Sequence, residues 1–248
     1  VQLLRVLQPP AQTVVRSMYR TMRAMTAALL FSELPAAMAL AEDPEAVFEA
    51  NRSSLFVVES YDRTSNNKNS VGSGFAIRAD SDAPAYLATN YHVVAEAVLN
   101  PEEYGIRVVA KEDEARPTEI IAADPINDLA ILRLAEADPS FEDRALSLAS
   151  ETPAIGEDLY ALGNPLDIGL SVVPGVFNGN YKKHFRPLIH FTGAMNPGMS
   201  GGPAVNASGE VVGINVAGAG NSVGFLVPAP RLRELLTNTV EPVSLADI

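Results

Sequence analysis

The run Asn196-Pro197-Gly198-Met199-Ser200-Gly201-Gly202-Pro203 is followed directly by Ala204-Val205-Asn206-Ala207-Ser208-Gly209-Glu210-Val211-Val212-Gly213-Ile214-Asn215-Val216. It places one serine in a glycine-rich loop ahead of two short apolar segments, Pro203–Val205 and Val211–Val216, bounded by turn residues. Working outward, segments of the same kind recur at Ser54–Ser60, Val71–Ile77, Tyr86–Thr89, Arg107–Ala110, Glu119–Ala122, Leu129–Leu134, Asp158–Leu162, Ser171–Phe177, Leu188–Thr192 and Gly224–Val227. Most are short and rich in Val, Ile and Leu, a density of strands that points to an all-β barrel or sandwich. Residues Ala135 to Pro153 read as the connection between two halves. Asp43-Pro44-Glu45 has the N-cap, proline and acid of a helix start, and Pro230–Asn238 reads as a C-terminal helix.

The loop around Ser200 matters because a serine hydroxyl is a weak nucleophile that needs an adjacent base. The chain has only three histidines. His92 follows a predicted strand in Thr89-Asn90-Tyr91-His92-Val93-Val94, and Asp128 lies in the polar turn Asp124-Pro125-Ile126-Asn127-Asp128 that feeds Leu129–Leu134. A neutral imidazole can accept the serine proton if a carboxylate holds its other nitrogen in the right tautomer. The oxyanion that develops needs preorganised amides, and the glycines beside Ser200 free the backbone to aim the Gly198 and Ser200 N–H groups into one concavity. Singly, each residue has a plain structural reading: a part-buried histidine, a turn-capping aspartate, a tight hairpin. In this order they converge on nucleophilic catalysis.

The segments TNYHVV, NDLAILRL, LGNP at Leu162–Pro165 and the serine loop resemble the HtrA/Deg-like branch of trypsin-like serine proteases, over about Val47 to Pro228. The resemblance implies two perpendicular six-stranded β-barrels, about residues 52–135 and 154–228 of a peptidase domain spanning 42–248. It implies a triad of His92, Asp128 and Ser200, with Gly198, Ser200 and Met199 at the oxyanion hole. Ala194 and Met195 then fall near the floor of the S1 pocket, with Val216, Ala217, Gly218 and Phe225 along its walls. No carboxylate is among them, so a small or medium aliphatic P1 residue is expected, in an extended polypeptide that pairs beside Asn215–Gly218. The reading is of an endopeptidase domain without a PDZ domain, and of a trimer if the resemblance extends to assembly. Digestive trypsins carry an aspartate before the nucleophile, and Met199 stands in that place, which rules out the same zymogen switch.

Composition narrows the alternatives. The 248 residues carry a formal net charge of −12 and no cysteine, which argues against a nucleic-acid footprint and excludes disulfides and a thiol nucleophile. Arg16, Arg20 and Arg23 precede the apolar stretch Ala24–Phe31, and Ala39-Leu40-Ala41 follows, the layout of a secretory signal over residues 1–41. Glu33 and Pro35 interrupt the stretch, so stable membrane insertion is not expected. An exported protein, periplasmic or secreted, is the expectation.

The order Ser-Asp-His of α/β-hydrolases fails because no histidine follows Ser200. His184 and His190 lack zinc-site spacing and read as exposed residues around the basic loop of Lys182, Lys183 and Arg186. No metal or other cofactor is expected. The rival of a different class is a latent or non-catalytic protease-fold module that binds or chaperones polypeptides.

Overall fold

The computed structural model describes residues 43–239, apart from 82, 110–113, 137 and 182–184. The expected signal segment therefore lies outside the described residues. Asp43 caps the first helix, α1 (Pro44–Asn51), accepting the Glu45 amide at 3.1 Å. Six strands follow: β1 (Leu55–Asp62), β2 (Lys68–Ile77), β3 (Tyr86–Thr89), β4 (Tyr104–Val109), β5 (Ala115–Asp124) and β6 (Leu129–Leu134). They close in the order β1-β2-β3-β6-β5-β4. A second set, β7 (Asp158–Gly163), β8 (Ser171–Tyr181), β9 (Leu188–Thr192), β10 (Pro203–Val205), β11 (Val211–Gly218) and β12 (Val223–Pro228), closes as β10-β11-β12-β9-β8-β7. The fold is thus two closed six-stranded antiparallel barrels, as the sequence led us to expect.

Two helices break the barrel pattern, α2 (Tyr91–Leu99) between β3 and β4, and the single turn α3 (Pro139–Glu142) in the inter-barrel connection. The last element is α4 (Ala229–Asn238). Among the described residues no helix is long and apolar enough to cross a membrane.

Three apolar clusters explain why so many strands read as unbroken apolar runs. Phe56, Val58, Leu87, Val108 and Leu132 fill the first barrel; Leu159, Ala161, Phe191, Ala204 and Leu226 belong to the cluster of the second. The alternate residues of the same strands, such as Phe75, Ile77, Leu129, Ile131, Leu162 and Ile214, join a third cluster with Leu232 and Leu236 of α4. A strand buried on both faces loses the period-2 alternation that a half-solvated strand shows.

Arg233 of α4 ties this arrangement together. Its guanidinium donates to the Ala79 carbonyl at 3.0 Å and to the Leu148 and Ala149 carbonyls at 3.3 and 3.4 Å, joining the end of β2 to the inter-barrel connection. Arg233→Met is expected to cost about 2 kcal/mol, the usual worth of bonds to a charged donor with acceptors left behind. Urea unfolding would report this as a lower midpoint at unchanged slope.

Candidate active site

β3 pairs with β6 so that Thr89 faces Ala130, which sets Asn90–His92 beside the turn carrying Asp128. His92 then stands in the first turn of α2, and its backbone N–H donates to Asp128 Oδ1 at 2.9 Å. Its ring Nδ1 lies 3.1 Å from Oδ1 and 2.9 Å from Oδ2. An ionised carboxylate only accepts, so Nδ1 carries the proton and Nε2 keeps its lone pair. Asn90, in the N-cap position, makes no capping bond; its Nδ2 donates instead to the Asp128 carbonyl at 2.8 Å. That bond steadies Asp128 in a left-handed conformation, φ 60°.

Asp128 is buried, which by itself pushes its carboxyl up. The hydrogen bonds and charge of His92, with the charge of Arg186, more than offset this and hold it below the ordinary aspartate range.

The serine loop is tied to the first barrel by Ser73 of β2. Ser73 N donates to the Ser200 carbonyl at 2.7 Å, and its hydroxyl donates to the Gly198 carbonyl at 2.7 Å while accepting the Asn164 amide at 2.9 Å. Thr89 Oγ1 donates to the Ser73 carbonyl at 2.7 Å. Gly201, at φ +87°, packs so closely on this segment that a Cβ would stand 2.2 Å from Ser73 O and 2.3 Å from Thr89 Oγ1. These contacts bring the serine loop against the residues just before His92.

Within the loop the amides divide into two groups. Met199 N–H donates to Asn196, Gly201 N–H to Asn215 and Gly202 N–H to Met199. The amides of Gly198 and Ser200 have no partner among the described residues. The Pro197 carbonyl accepts from Leu166 N at 2.7 Å, so the planar peptide points the Gly198 N–H the opposite way. Gly198 has φ +93°, and a Cβ there would lie 2.3 Å from the Asn164 carbonyl, so the position admits glycine alone. The Met199 amide, expected with the other two, is already engaged in its own turn. Its side chain is fully buried in the second-barrel cluster and anchors the loop from below.

Ser200 Oγ donates to the Val216 carbonyl at 2.9 Å and makes no hydrogen bond to His92. Beside it opens a cleft of about 270 Å³ lined by Met195, Asn196, Pro197, Met199, Ser200, Val216 and Gly218. Met195 narrows it: a Cβ on Gly218 or Gly224 would lie 3.0 Å from Met195 Cβ or 2.6 Å from its Cγ. Of the other residues expected there, Ala194 is exposed and outside the cleft. Phe225 faces away from it, with its ring 5.1 Å from Tyr181 and 6.4 Å from His190. Successive residues of a strand face opposite sides, so Gly224 and Phe225 cannot both face Met195. Nothing is described for the Ala217 side chain.

β10 ends opposite Val211–Ile214 and Asn215 still exchanges backbone bonds with Gly201 and Gly202, so among the described residues the open edge of β11 is Val216–Gly218, where the Val216 carbonyl takes the Ser200 hydroxyl. Arg186, expected on an exposed basic loop, has a side chain only 12% exposed and lies against Asp128. His190 sits half-buried in β9, while Lys182, Lys183 and His184 lie outside the described residues. Among the described residues no group of His, Asp and Glu is placed to hold a metal ion.

Comparison with known proteins follows the same lines. The profile of the "Trypsin-like peptidase domain" matches residues 72–214. The chain is 32% identical over 197 residues to the probable periplasmic serine endoprotease DegP-like of Buchnera aphidicola subsp. Schizaphis graminum, covering 72% of this chain and 39% of that protein. It is 29% identical over 181 residues to the periplasmic serine endoprotease DegP of Escherichia coli K12, covering 69% of this chain and 36% of that protein. The chain thus spans less than two-fifths of the length of these curated relatives. Among solved structures, the active form of the Rv3671c protease from M. tuberculosis superposes with a TM-score of 0.65 at 24% identity, covering 87% of this chain and 96% of that one. The serine endoprotease from Yersinia pestis gives 0.64 at 22% identity, covering 80% and 68%.

Proposed function

The chain belongs to the trypsin-like peptidase domain family, and from that premise we propose that it is a serine endopeptidase using His92, Asp128 and Ser200. The observation that carries this reading is the His92–Asp128 pair held against a serine loop whose Gly198 and Ser200 amides have no partner among the described residues. In the proposed reaction the Ser200 hydroxyl exchanges the Val216 carbonyl for His92 Nε2. His92 takes the proton as Ser200 Oγ attacks the scissile carbonyl carbon, and the Gly198 and Ser200 amides receive the oxyanion. Asp128 holds the imidazolium. The proton then passes from His92 to the leaving amine, and water, activated by the same ring, hydrolyses the acyl-enzyme.

The substrate is proposed to be an unfolded or extended polypeptide that adds a strand to the open edge of β11. With Met195 filling the cleft between Gly218 and Gly224 and no carboxylate in its lining, a small or medium aliphatic P1 residue fits best. Export to the periplasm and trimeric assembly belong to the same proposal. The first is supported by the location that the names of the relatives carry.

One observation favours a second reading, a latent or purely binding module: the Ser200 hydroxyl rests on Val216 and not on His92. A resting hydroxyl of this kind is common before substrate arrives, whereas a collapsed oxyanion hole would be a deeper obstacle. The test is reaction with a fluorophosphonate, which needs both an activated serine and a formed hole, followed by fragment mapping on a denatured protein. Labelling confined to Ser200, with new termini after aliphatic residues, is the expected result. A protein that takes no label yet retains the denatured chain would overturn the endopeptidase in favour of the binding module.

A further inference from the structure

Arg186 is the charged side chain that the proposed reaction leaves without a role. It comes from the β8–β9 connection, two residues ahead of β9, and its Nη1 donates to the Ile126 carbonyl at 3.3 Å. Its Nη2 stands 3.5 Å from Asp128 Oδ2, the oxygen that also takes His92 Nδ1. That separation is long for a hydrogen bond but close for two full charges sheltered from solvent. Once His92 accepts a proton, Asp128 faces two cations on one carboxylate.

Resting on the triad proposed above, we infer that Arg186 is a positioning residue: it keeps Asp128 ionised while partly offsetting that carboxylate's pull on His92. A carboxylate alone would draw a proton onto the imidazole and remove the base as pH falls. The guanidinium opposes this, so His92 stays neutral, and able to accept the Ser200 proton, to lower pH.

Among the described residues the other charges nearby are engaged or exposed. Asp124 is taken up by the Ile126 and Asn127 amides of its own turn, and Glu96 is exposed one turn along α2. On the strands packed against α2, Glu59 pairs with Lys68 and Arg107, and Glu119 with Arg133. The serine loop and β11 carry no ionisable side chain.

Phosphonylation of Ser200 followed against pH reads the acid limb of the base. In Arg186→Gln, which keeps donors for the Ile126 carbonyl but loses the charge, the midpoint is expected to rise by about half a unit to one unit. Arg186→Lys should return most of it. An unchanged midpoint in Arg186→Gln, with the rate lowered equally at every pH, would overturn the inference and leave Arg186 a tether of the Ile126 turn.

A second readout needs no activity. In Asp128→Asn, where Arg186 faces a neutral amide, the NMR titration midpoint of the half-exposed His92 ring should lie lower than in the double variant Asp128→Asn/Arg186→Gln. The same midpoint with and without Arg186 would equally overturn the inference. A wild type that takes no label while the ring titrates as expected would count against the proposed reaction, and in favour of Arg186.

Discussion

Ser200→Ala is expected to lower kcat/KM for a denatured polypeptide by about 10^5- to 10^6-fold, the scale seen when a triad nucleophile is lost. The loss should fall on the chemical step and not on binding. Val216, Gly218 and the open edge of β11 remain, so the variant should still retain an extended peptide with little change in Kd. Stability should hardly move. The hydroxyl makes one hydrogen bond, to the Val216 carbonyl, and its removal costs about 1 kcal/mol at most. The loop is held by groups that the substitution leaves alone: Ser73, the buried Met199 side chain and the pairing of Gly201 N–H with Asn215. Fragment mapping of matched preparations, with urea unfolding beside it, checks all three points. Cleavage by the variant within tenfold of wild type would remove Ser200 as nucleophile, whatever its surroundings.

The barrels were legible in the sequence because each strand is a short apolar run between turn residues. The candidate site was legible because the three side chains proposed for it lie in locally distinctive segments. What escaped has a physical reason in each case. α2 gives no plain helical signal in the sequence, since Val93 and Val94 are β-branched. It is a helix because Val93, Val94 and Ala97 are buried together on one face at helical spacing while Glu96 faces solvent. Ser73 looks like any serine in a glycine-rich strand; only the closure of both barrels brings it to Gly198, 125 residues away in sequence. Arg186 sits in a run of basic residues that reads as solvated, and its burial against Asp128 depends on a contact 58 residues apart. Phe225 was expected in the cleft by family resemblance, but the alternation of β12 turns it outward once Gly224 is fixed against Met195. Local pattern carries the elements and the reactive groups, whereas the supporting contacts arise from long-range register.

Asp128→Asn is the sharper test, because it should spare the fold and damage the chemistry. An asparagine tolerates the left-handed backbone at this position, and its carbonyl oxygen can still accept the His92 backbone N–H. The bond from Asn90 goes to the backbone carbonyl and is untouched. The amide nitrogen, however, would meet His92 Nδ1 as a donor where the carboxylate was an acceptor. Nδ1 must then give up its proton, Nε2 must carry it, and the ring can no longer take the proton of Ser200. A loss of about 10^4-fold in kcat near neutral pH is expected on this ground. A loss below tenfold would show that Asp128 does not set the tautomer. The same variant makes a thermodynamic prediction of definite sign. The folded carboxyl of Asp128 is held below the unfolded value, so it contributes stability above about pH 4, and this is lost as pH falls through the folded value. Urea midpoints of wild type and Asp128→Asn should therefore differ most near neutrality and converge in acid. Parallel curves would mean that the carboxylate gains nothing from His92 and Arg186 on folding, and the electrostatic account of the site would fail with them.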